Sequence, residues 1–406
     1  MLSDDELRAH GPEWLVHLGE WGALGAWAVG WLLFWRLPRL RVPAVGEDLL
    51  EVSDHHADPR AAVIVPARDE AATLPILLGS LAGTDPRVDE VVVVDDASTD
   101  ATASVARACG ARVVVPDARP PEATGKVWAC ATGVDATASP DLVFVDADVE
   151  VAPAGLGAVL DHLATTGGLV SVEPHHRIER PYEQLSALPA IVAVMATGAA
   201  SPWRPALRAA FGPLLACHRT DYEDVGGHLA DPGAVAEDIA LAARFRADGH
   251  PVAVLGGGDL IRFRMYPAGI GQLVEGWTKN LATGAGATRP LRLLAVVAWV
   301  TALCWSMVAL AAAPLAPTTA PAWAVGLSVA FAVQVWAMAR QLGSFGPWPA
   351  LALPLHVAGF VALFARSVQL TVVRRQVVWK GRAVPIRTAA AGPRLRRAGA
   401  AQDDPR

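Results

Sequence analysis

Charge is what this chain of 406 residues has least of. Asp, Glu, Lys and Arg make up 18% of it and hydrophobic residues 53%. Soluble proteins carry more charge and less apolar bulk, so part of the chain is expected to face lipid. There is no overall surplus of positive charge either. The formal net charge of −6 argues against a nucleic-acid partner for the chain as a whole. Cysteine is scarce. Cys109, Cys130, Cys217 and Cys304 are scattered with no Cys-x-x-Cys, which argues against a disulfide framework and against a zinc site. No internal repeat is found.

Long apolar runs are present instead. Trp14 to Trp35 is long enough to cross a bilayer, although Glu20 interrupts it. A signal peptide has its basic residues before the apolar run; here Arg36, Arg39 and Arg41 follow it. Residues 1–41 therefore read as an uncleaved membrane anchor with residue 36 onward in the cytoplasm; a buried helix is the plain alternative. Residues 286–373 hold three more candidate spans, Leu291–Ala313, Ala322–Ala339 and Trp348–Val373. The tail, 374–406, sets nine basic residues against Asp403 and Asp404, which suits an anionic membrane face or a solvated end. These readings conflict. Three crossings after a cytoplasmic domain would put the tail outside, whereas its charge puts it inside. Arg366 would cost about 2.5–3.5 kcal/mol at a bilayer centre. It points to a last segment that dips in and returns, or lies on the surface. The expectation is a multi-pass protein of the cell membrane with the part between its apolar ends in the cytoplasm.

Between the apolar ends, 42–60 reads as a linker and 61–285 as an α/β domain. Ala61–Pro66, Glu90–Asp95, Arg112–Val115 and the run up to Asp146 read as strands. Asp69–Leu81, Asp100–Cys109, Trp128–Ala138 and Ala236–Asp248 read as helices. Alternation of this kind gives a sheet with parallel strands and helices on its faces. Past Glu150 the pattern loosens. Pro181–Ala196 reads as an apolar helix, and Phe211–His228 as a turn-rich segment.

The informative stretch is Leu142 to Glu150, where an apolar strand delivers Asp146 and Asp148 at i and i+2. Such a pair at a strand's carboxyl end faces the crevice where open α/β sheets bind ligands. It suits Mg²⁺ or Mn²⁺, which keeps waters and holds a ligand's phosphates. Other strand ends are polar as well: Pro66-Ala67-Arg68-Asp69-Glu70 after the first strand, and Asp95-Asp96 after the second. Gly125-Lys126 precedes a helix, and Glu237-Asp238 opens another, where acids also suit the helix dipole. Lys126 offers a point charge for a phosphate, or is a surface lysine. Asp96 can accept from a base or ribose, or cap a helix. His175-His176 has no third ligand in register for a metal and reads as surface or acceptor-side polarity.

This ordered set resembles the family 2 glycosyltransferases of GT-A fold over roughly residues 60 to 285. The resemblance implies a GT-A nucleotide-diphospho-sugar transferase domain, a Rossmann-like mixed sheet, with N- and C-terminal transmembrane helices. It implies donor binding by Pro66, Ala67, Arg68, Asp69, Glu70, Asp96, Lys126 and Asp146, and a divalent metal on Asp148 and Asp146. Asp238 and Glu237 would be the catalytic residues, with Asp238 the general base in a single inverting displacement. Processive members carry Gln-x-x-Arg-Trp; here Gln272 and Trp277 stand at another spacing with no Arg between them, which implies transfer of one sugar. Phe211-Gly212-Pro213, Gly226-Gly227-His228, Met265-Tyr266-Pro267, Glu275 to Asn280 and Trp379 to Arg382 are most similar to the subgroup that glycosylates carotenoid acids, the 4,4'-diaponeurosporenoate glycosyltransferases. That subgroup implies a lipophilic polyisoprenoid acceptor, UDP-glucose as donor, and acceptor contacts from Trp277, Lys279, Arg264 and Gln272. On their own residues Trp277 and Lys279 also read as an interfacial anchor pair. Transfer to a hopanoid, glycolipid or polyprenyl phosphate is the alternative enzyme. A nucleotide-sugar-binding membrane protein without turnover, or a transporter subunit with a regulatory domain, is the alternative from another class.

Overall fold

A computed structural model describes residues 13–42, 61–83, 85–203, 207, 209–315, 320–374, 376–379 and 382–385. The expected linker beyond Val42 and most of the expected basic tail lie outside these residues.

Strands β1 (Ala61–Ala67), β2 (Val88–Asp95), β3 (Arg112–Val114) and β4 (Asp141–Val145) alternate with helices α1 to α4. Of these, α1 is Glu13–Leu33, α2 Leu74–Leu81, α3 Thr102–Ala108 and α4 Gly125–Asp135. Strand β1 pairs in parallel with β2 and β4, and β2 with β3. These strands are apolar throughout because both faces are covered. Val63 and Val65 of β1 join the apolar cluster under α2, while Ile64 joins the opposite cluster under α4. The alternation of a strand's side chains thus feeds two cores from one run.

After β4 the chain forms β5 (Val149–Val151), α5 (Gly155–Thr166), β6 (Leu169–Glu173), β7 (His175–His176), a 3₁₀ turn over Pro181–Ser186 and α6 (Ala187–Thr197). It continues through β8 (Leu214–His218), α7 (Arg219–Asp224), α8 (Glu237–Ala247), β9 (Val252–Gly256), β10 (Ile261–Phe263) and α9 (Ile270–Ala287). The main sheet has the order β3-β2-β1-β4-β8-β6-β9. Strand β8 runs antiparallel to both β4 and β6, which makes the sheet mixed, as the GT-A resemblance implies. The segment 211–228 is therefore more than turns: Leu214–His218 is a central strand, buried over Leu214–Cys217. Helix α2 begins at Leu74, five residues later than periodicity predicts, because residues 69–71 bond to the loop after β2.

The apolar end forms α10 (Pro290–Ala312), α11 (Ala320–Leu342), the short α12 (Trp348–Leu351), α13 (Leu353–Val368) running into a π turn over Gln369–Val373, and the hairpin β11 (Gln376–Trp379) and β12 (Arg382–Pro385). Three helical stretches, Pro290–Leu315, Ala322–Leu342 and Leu353–Val372, are long and apolar enough to cross a membrane. They leave Leu291, Leu294, Val308, Val329, Val333, Leu355 and Val372 about half or more exposed, surface that water does not favour and lipid does. Helix α1 packs against α10, and a buried polar chain ties the bundle. Trp299 Nε1 donates to Gln334 Oε1 at 2.8 Å, and Gln334 Nε2 donates to the Trp27 carbonyl at 2.8 Å.

The expected third span, Trp348–Val373, is broken at Ala352, ahead of Pro354. Its two ends also touch the α/β domain. Ahead of it, Ser344 N donates to the His176 carbonyl at 2.9 Å and Gly346 N to Gln184 Oε1 at 3.2 Å. Near its far end, Ser367 Oγ accepts from Ala282 N at 2.9 Å. Leu353, His356, Val357, Phe360, Leu363 and Ser367 make the buried stripe of α13, while Leu355, Val361 and Phe364 face outward.

Candidate active site

A single cavity of about 730 Å³ opens at the carboxyl edge of β1, β2 and β4. Its polar end is lined by Arg68, Glu70, Asp96, Lys126, Asp146, Asp148, Glu237, Asp238 and Lys279. All but Lys279, which lies within α9, stand at or just beyond the point where an element ends or begins: β1 stops at Ala67, β2 at Asp95 and β4 at Val145, while α4 starts at Gly125 and α8 at Glu237.

Lys126 is at the centre. Its Nζ lies 2.8 Å from Asp146 Oδ1 and 2.8 Å from Glu237 Oε1. The lysine therefore ties the end of β4 to the start of α8, rather than standing free for a phosphate as the sequence suggests. Burial works against its charge, yet Asp146 and Glu237 hold the ammonium well above the usual lysine range. Burial also opposes the Glu237 carboxylate, but Lys126 and then Lys279 hold its pKa at about 2. Glu237 is thus the counter-ion of Lys126.

Asp148 and Asp238 differ. Burial, then the neighbouring charges of Asp146 and Glu70, push Asp148 up to about 7. Burial, then Glu237, push Asp238 up to about 7, although its Oδ1 accepts from Ile239 N at 2.9 Å. An acid at that value is suited to taking a proton near neutral pH. Among the described residues no group of three or more His, Cys, Asp or Glu could enclose a metal by itself. The pair fits a divalent cation all the same. Asp146 and Asp148 are hard oxygen donors that crowd each other's charge, and a cation held there would take its other ligands from phosphates and water.

Two close approaches set the pocket's shape. A Cβ on Gly125 would sit 2.1 Å from Asp96 Oδ2, and one on Gly212 would sit 3.2 Å from Asp238 Oδ2. Asp96 also faces Arg68 Nη1 at 3.6 Å. Asp96 lines the cavity and makes no cap to α3.

Three other predicted site residues, Asp69, Arg264 and Gln272, are not among those that line this cavity. Asp69, in the left-handed region with φ 50°, accepts from Thr99 N at 2.6 Å and Thr99 Oγ1 at 3.0 Å, and so binds two loops together. The Thr99 amide holds it below the usual carboxylate range. Arg264 is held by Glu183 (Nε to Oε1, 2.9 Å) and Glu179 (Nη1 to Oε2, 2.8 Å), so it is not placed to hold an acceptor. Gln272 Oε1 accepts from Ala268 N at 2.9 Å and braces the start of α9. Trp277 does line the cavity but is no surface anchor. It is buried, donates from Nε1 to Ser186 Oγ at 3.0 Å and meets Tyr266 edge-on with ring centres 6.2 Å apart. His176 is buried too, its Nε2 3.1 Å from Glu173 Oε1, against the expectation of surface polarity.

Glu173 and Tyr266 also line the cavity, although neither is expected from the sequence as a site residue. Glu173 ends β6, the same signal that marks Asp146, but β6 itself is not evident in the pattern. Tyr266 Oη is buried and has no hydrogen-bond partner among the described residues, and its hydroxyl is raised well above the usual range by burial and by Asp148 and Glu173.

Beyond Lys279 the cavity becomes apolar and runs between helices. Val192 and Ala196 of α6, Leu281 and Gly284 of α9, Val296 and Val300 of α10 and Phe360 of α13 line it.

The family model described as Glycosyl transferase family 2 matches residues 62–193. A 4,4'-diaponeurosporenoate glycosyltransferase of Staphylococcus haemolyticus (strain JCSC1435) is 33% identical over 332 residues, 80% of this chain and 88% of that protein. One from Staphylococcus aureus (strain USA300) is 33% identical over 326 residues, 79% of this chain and 87% of that protein. Among solved structures, the mannosyltransferase PcManGT from Pyrobaculum calidifontis, in complex with GDP-Man and Mn²⁺, shares the fold with a TM-score of 0.51 at 21% identity, covering 86% of this chain and 95% of that one. The chain belongs to glycosyl transferase family 2, alongside the 4,4'-diaponeurosporenoate glycosyltransferases, and is a glycosyltransferase.

Proposed function

We propose that the enzyme moves one sugar, glucose from UDP-glucose, onto the carboxylate of a membrane-dissolved polyisoprenoid acid of the carotenoid-acid kind, with inversion. One observation carries the reading. The cavity that holds the strand-end acids is the same cavity that runs on, apolar, between α9, α10 and α13. A charged donor and a hydrocarbon acceptor need such opposite linings to meet in one space. The names of the curated relatives support the acceptor class.

In this reading Arg68, Asp96 and the loop at Pro66–Ala67 hold the nucleotide. Asp148 and Asp146 would hold Mg²⁺ or Mn²⁺, which supplies Lewis-acid stabilisation of the leaving diphosphate. Lys126 keeps Asp146 and Glu237 ionised and in place. Lys279, whose charge acts on Asp146, Glu237 and Asp238, steers the acceptor's carboxylate toward the sugar. A carboxylic acceptor is already ionised at neutral pH, so Asp238 has no proton to remove from it; with an alcohol acceptor it must. Asp238→Asn is expected to slow transfer to a polyisoprenoid alcohol at least tenfold more than to the acid, and equal losses would remove the distinction.

Topology follows the same reading. Helix α1 leads in, α10 leads out and α11 returns, while α13, touching the α/β domain at both ends, lies in the interface plane. The tail then stays on the cytoplasmic side, where its charge belongs. The deciding experiment is transfer from UDP-glucose in vesicles with Mn²⁺, products read by mass spectrometry, for wild type and Asp148→Ala. Glucosylated polyisoprenoid acid from the wild type alone is expected. A product on hopanoid, glycolipid or polyprenyl phosphate alone would move the acceptor class, and donor hydrolysis unaffected by Asp148→Ala would sink the metal role.

A further inference from the structure

The apolar limb of the cavity has an opening of its own. Val297 is 49% exposed and Phe364 37% exposed, and both line the cavity. Thr301, one turn beyond Val297 on α10, is likewise exposed and lines it. Val297 and Thr301 share a face of α10 with Leu294 and Val308, which are exposed and do not line the cavity, so the lining grades into the outer surface there. The opening lies between α10 and α13. Both helices touch α6, but α10 leans mainly on α1 and α11 and α13 mainly on α9, so they meet each other only over a short stretch and a seam runs beside it. The seam faces the side where Leu294, Val308, Leu355 and Val361 are exposed, the surface suited to lipid.

The lining follows α10 as Leu293, Val296, Val297, Val300 and Thr301, spacings of three and four that keep one helical face. From Leu293 to Thr301 is about 12 Å along the axis. On the facing side Phe360 and Phe364 stack, with planes 14° apart and centres at 6.2 Å. The floor is α9, where Gly284 has no atom within 4 Å of where its Cβ would be. The result is a slot bounded by a flat aromatic wall and an aliphatic wall. It opens sideways and leads to Lys279 and Asp238.

We infer that the seam between α10 and α13 is a lateral portal through which the acceptor's hydrocarbon chain passes from the bilayer, so that the chain lies in the slot while its carboxylate reaches the donor site. The inference rests on the proposed acceptor class. It adds the route and the residues that select for a flat, unbranched-width chain: Phe360 and Phe364 favour a planar conjugated chain over a kinked saturated one.

The test narrows the slot without disturbing the fold. Gly284→Leu puts a side chain into the open space, in a helix that gains propensity from losing glycine. Gly326→Leu on α11, also free of neighbours and outside the cavity, is the control. With nanodisc-embedded protein and a long polyene acid, Gly284→Leu is expected to lower kcat/KM at least tenfold, with UDP binding within twofold of wild type and Gly326→Leu unchanged. Undiminished transfer by Gly284→Leu would overturn the portal. A second measurement does not depend on turnover. A bilayer-dissolved, diazirine-bearing fatty acid should label Val300, and Gly284→Leu should suppress that label while leaving labelling of Val308. Labelling of Val308 with none at Val300 in the wild type overturns the portal. A wild type that labels at Val300 but glycosylates no polyisoprenoid acid leaves the portal in place and removes the acceptor class.

Discussion

At the scale of single residues, the site works by giving similar acids different partners. Glu237 and Asp238 are adjacent in sequence, yet Lys126 holds the first at about 2 while burial and that first charge lift the second to about 7. The consequence for stability has a definite sign. A carboxyl raised in the folded state penalises folding once the unfolded chain would be ionised, so the penalty grows from about pH 4 and is complete above 7. Asp238→Asn should therefore flatten the fall of Tm between pH 4 and 7 and melt higher than wild type at pH 8. Transfer to an alcohol acceptor by the wild type should rise with pH through about 7, and in the variant should be low and flat; a pH–rate profile with parallel curves would contradict the base role. Gly125 gives a steric prediction. Its Cβ would meet Asp96 Oδ2 at 2.1 Å, so Gly125→Ala must displace that carboxylate. Losing one good hydrogen bond to the nucleotide costs on the order of 1.5–3 kcal/mol, about a tenfold or greater rise in KM for the donor with a smaller change in kcat. Steady-state kinetics in the donor checks it.

At the scale of elements, the acids that matter were legible because each sits at the end of a periodic segment. Asp146, Asp148, Lys126, Glu237 and Asp238 all reach the cavity from strand or helix ends visible in the sequence. What was not legible depends on pairing across the chain. Strand β8 is five residues long and flanked by Gly212, Pro213, Gly226 and Gly227, which read as turns; only β4 and β6 on either side make it a strand. With β8 and β6 hidden, Glu173 had no strand end to mark it. Arg264 and Gln272 have the right chemistry for a ligand, and nothing local reveals that Glu183 and Ala268 already hold them. The bridge from α4 to β4 and α8 is likewise a tertiary fact. Lys126→Met would leave Asp146 and Glu237 without the cation that bridges them, with only the charge of Lys279 acting on both. Removing one partner of a buried ionic cluster costs about 3–5 kcal/mol, and about 2–3 is expected here because the cavity is partly wet. Denaturant unfolding checks the loss, and divalent cation should recover part of it, a recovery that Lys126→Met with Asp148→Ala should lack.

For the whole molecule, the question is what holds a soluble-looking α/β domain against a bundle of apolar helices. The apolar cluster that includes α6 and α9 also includes Phe34, Trp299, Phe331 and Phe360, so the two parts share one core and are not joined by a tether. Helix α1 enters that core at Gly30, where a Cβ would lie 2.3 Å from Trp299 Nε1 and 2.8 Å from Gln334 Nε2. Small residues at helix contacts let backbones approach where lipid supplies no hydrophobic drive, and the Trp299–Gln334–Trp27 chain adds hydrogen bonds across three helices. Gly30→Val should push α1 off α10 and break both bonds. Interhelical hydrogen bonds in membranes are worth on average about 0.6 kcal/mol each, so most of the effect should come from the clash, with a total on the order of 2–4 kcal/mol by the usual cost of overpacking. The N-terminal helix reads as an anchor by its flanking arginines, but this packing makes it part of the fold. If it were an anchor alone, Gly30→Val would leave detergent-solubilised enzyme as stable as wild type. If it is a fourth member of the bundle, the variant should stay in the membrane fraction after alkaline carbonate washing, held by α10 and α11, yet lose several degrees of Tm and transfer activity together in detergent.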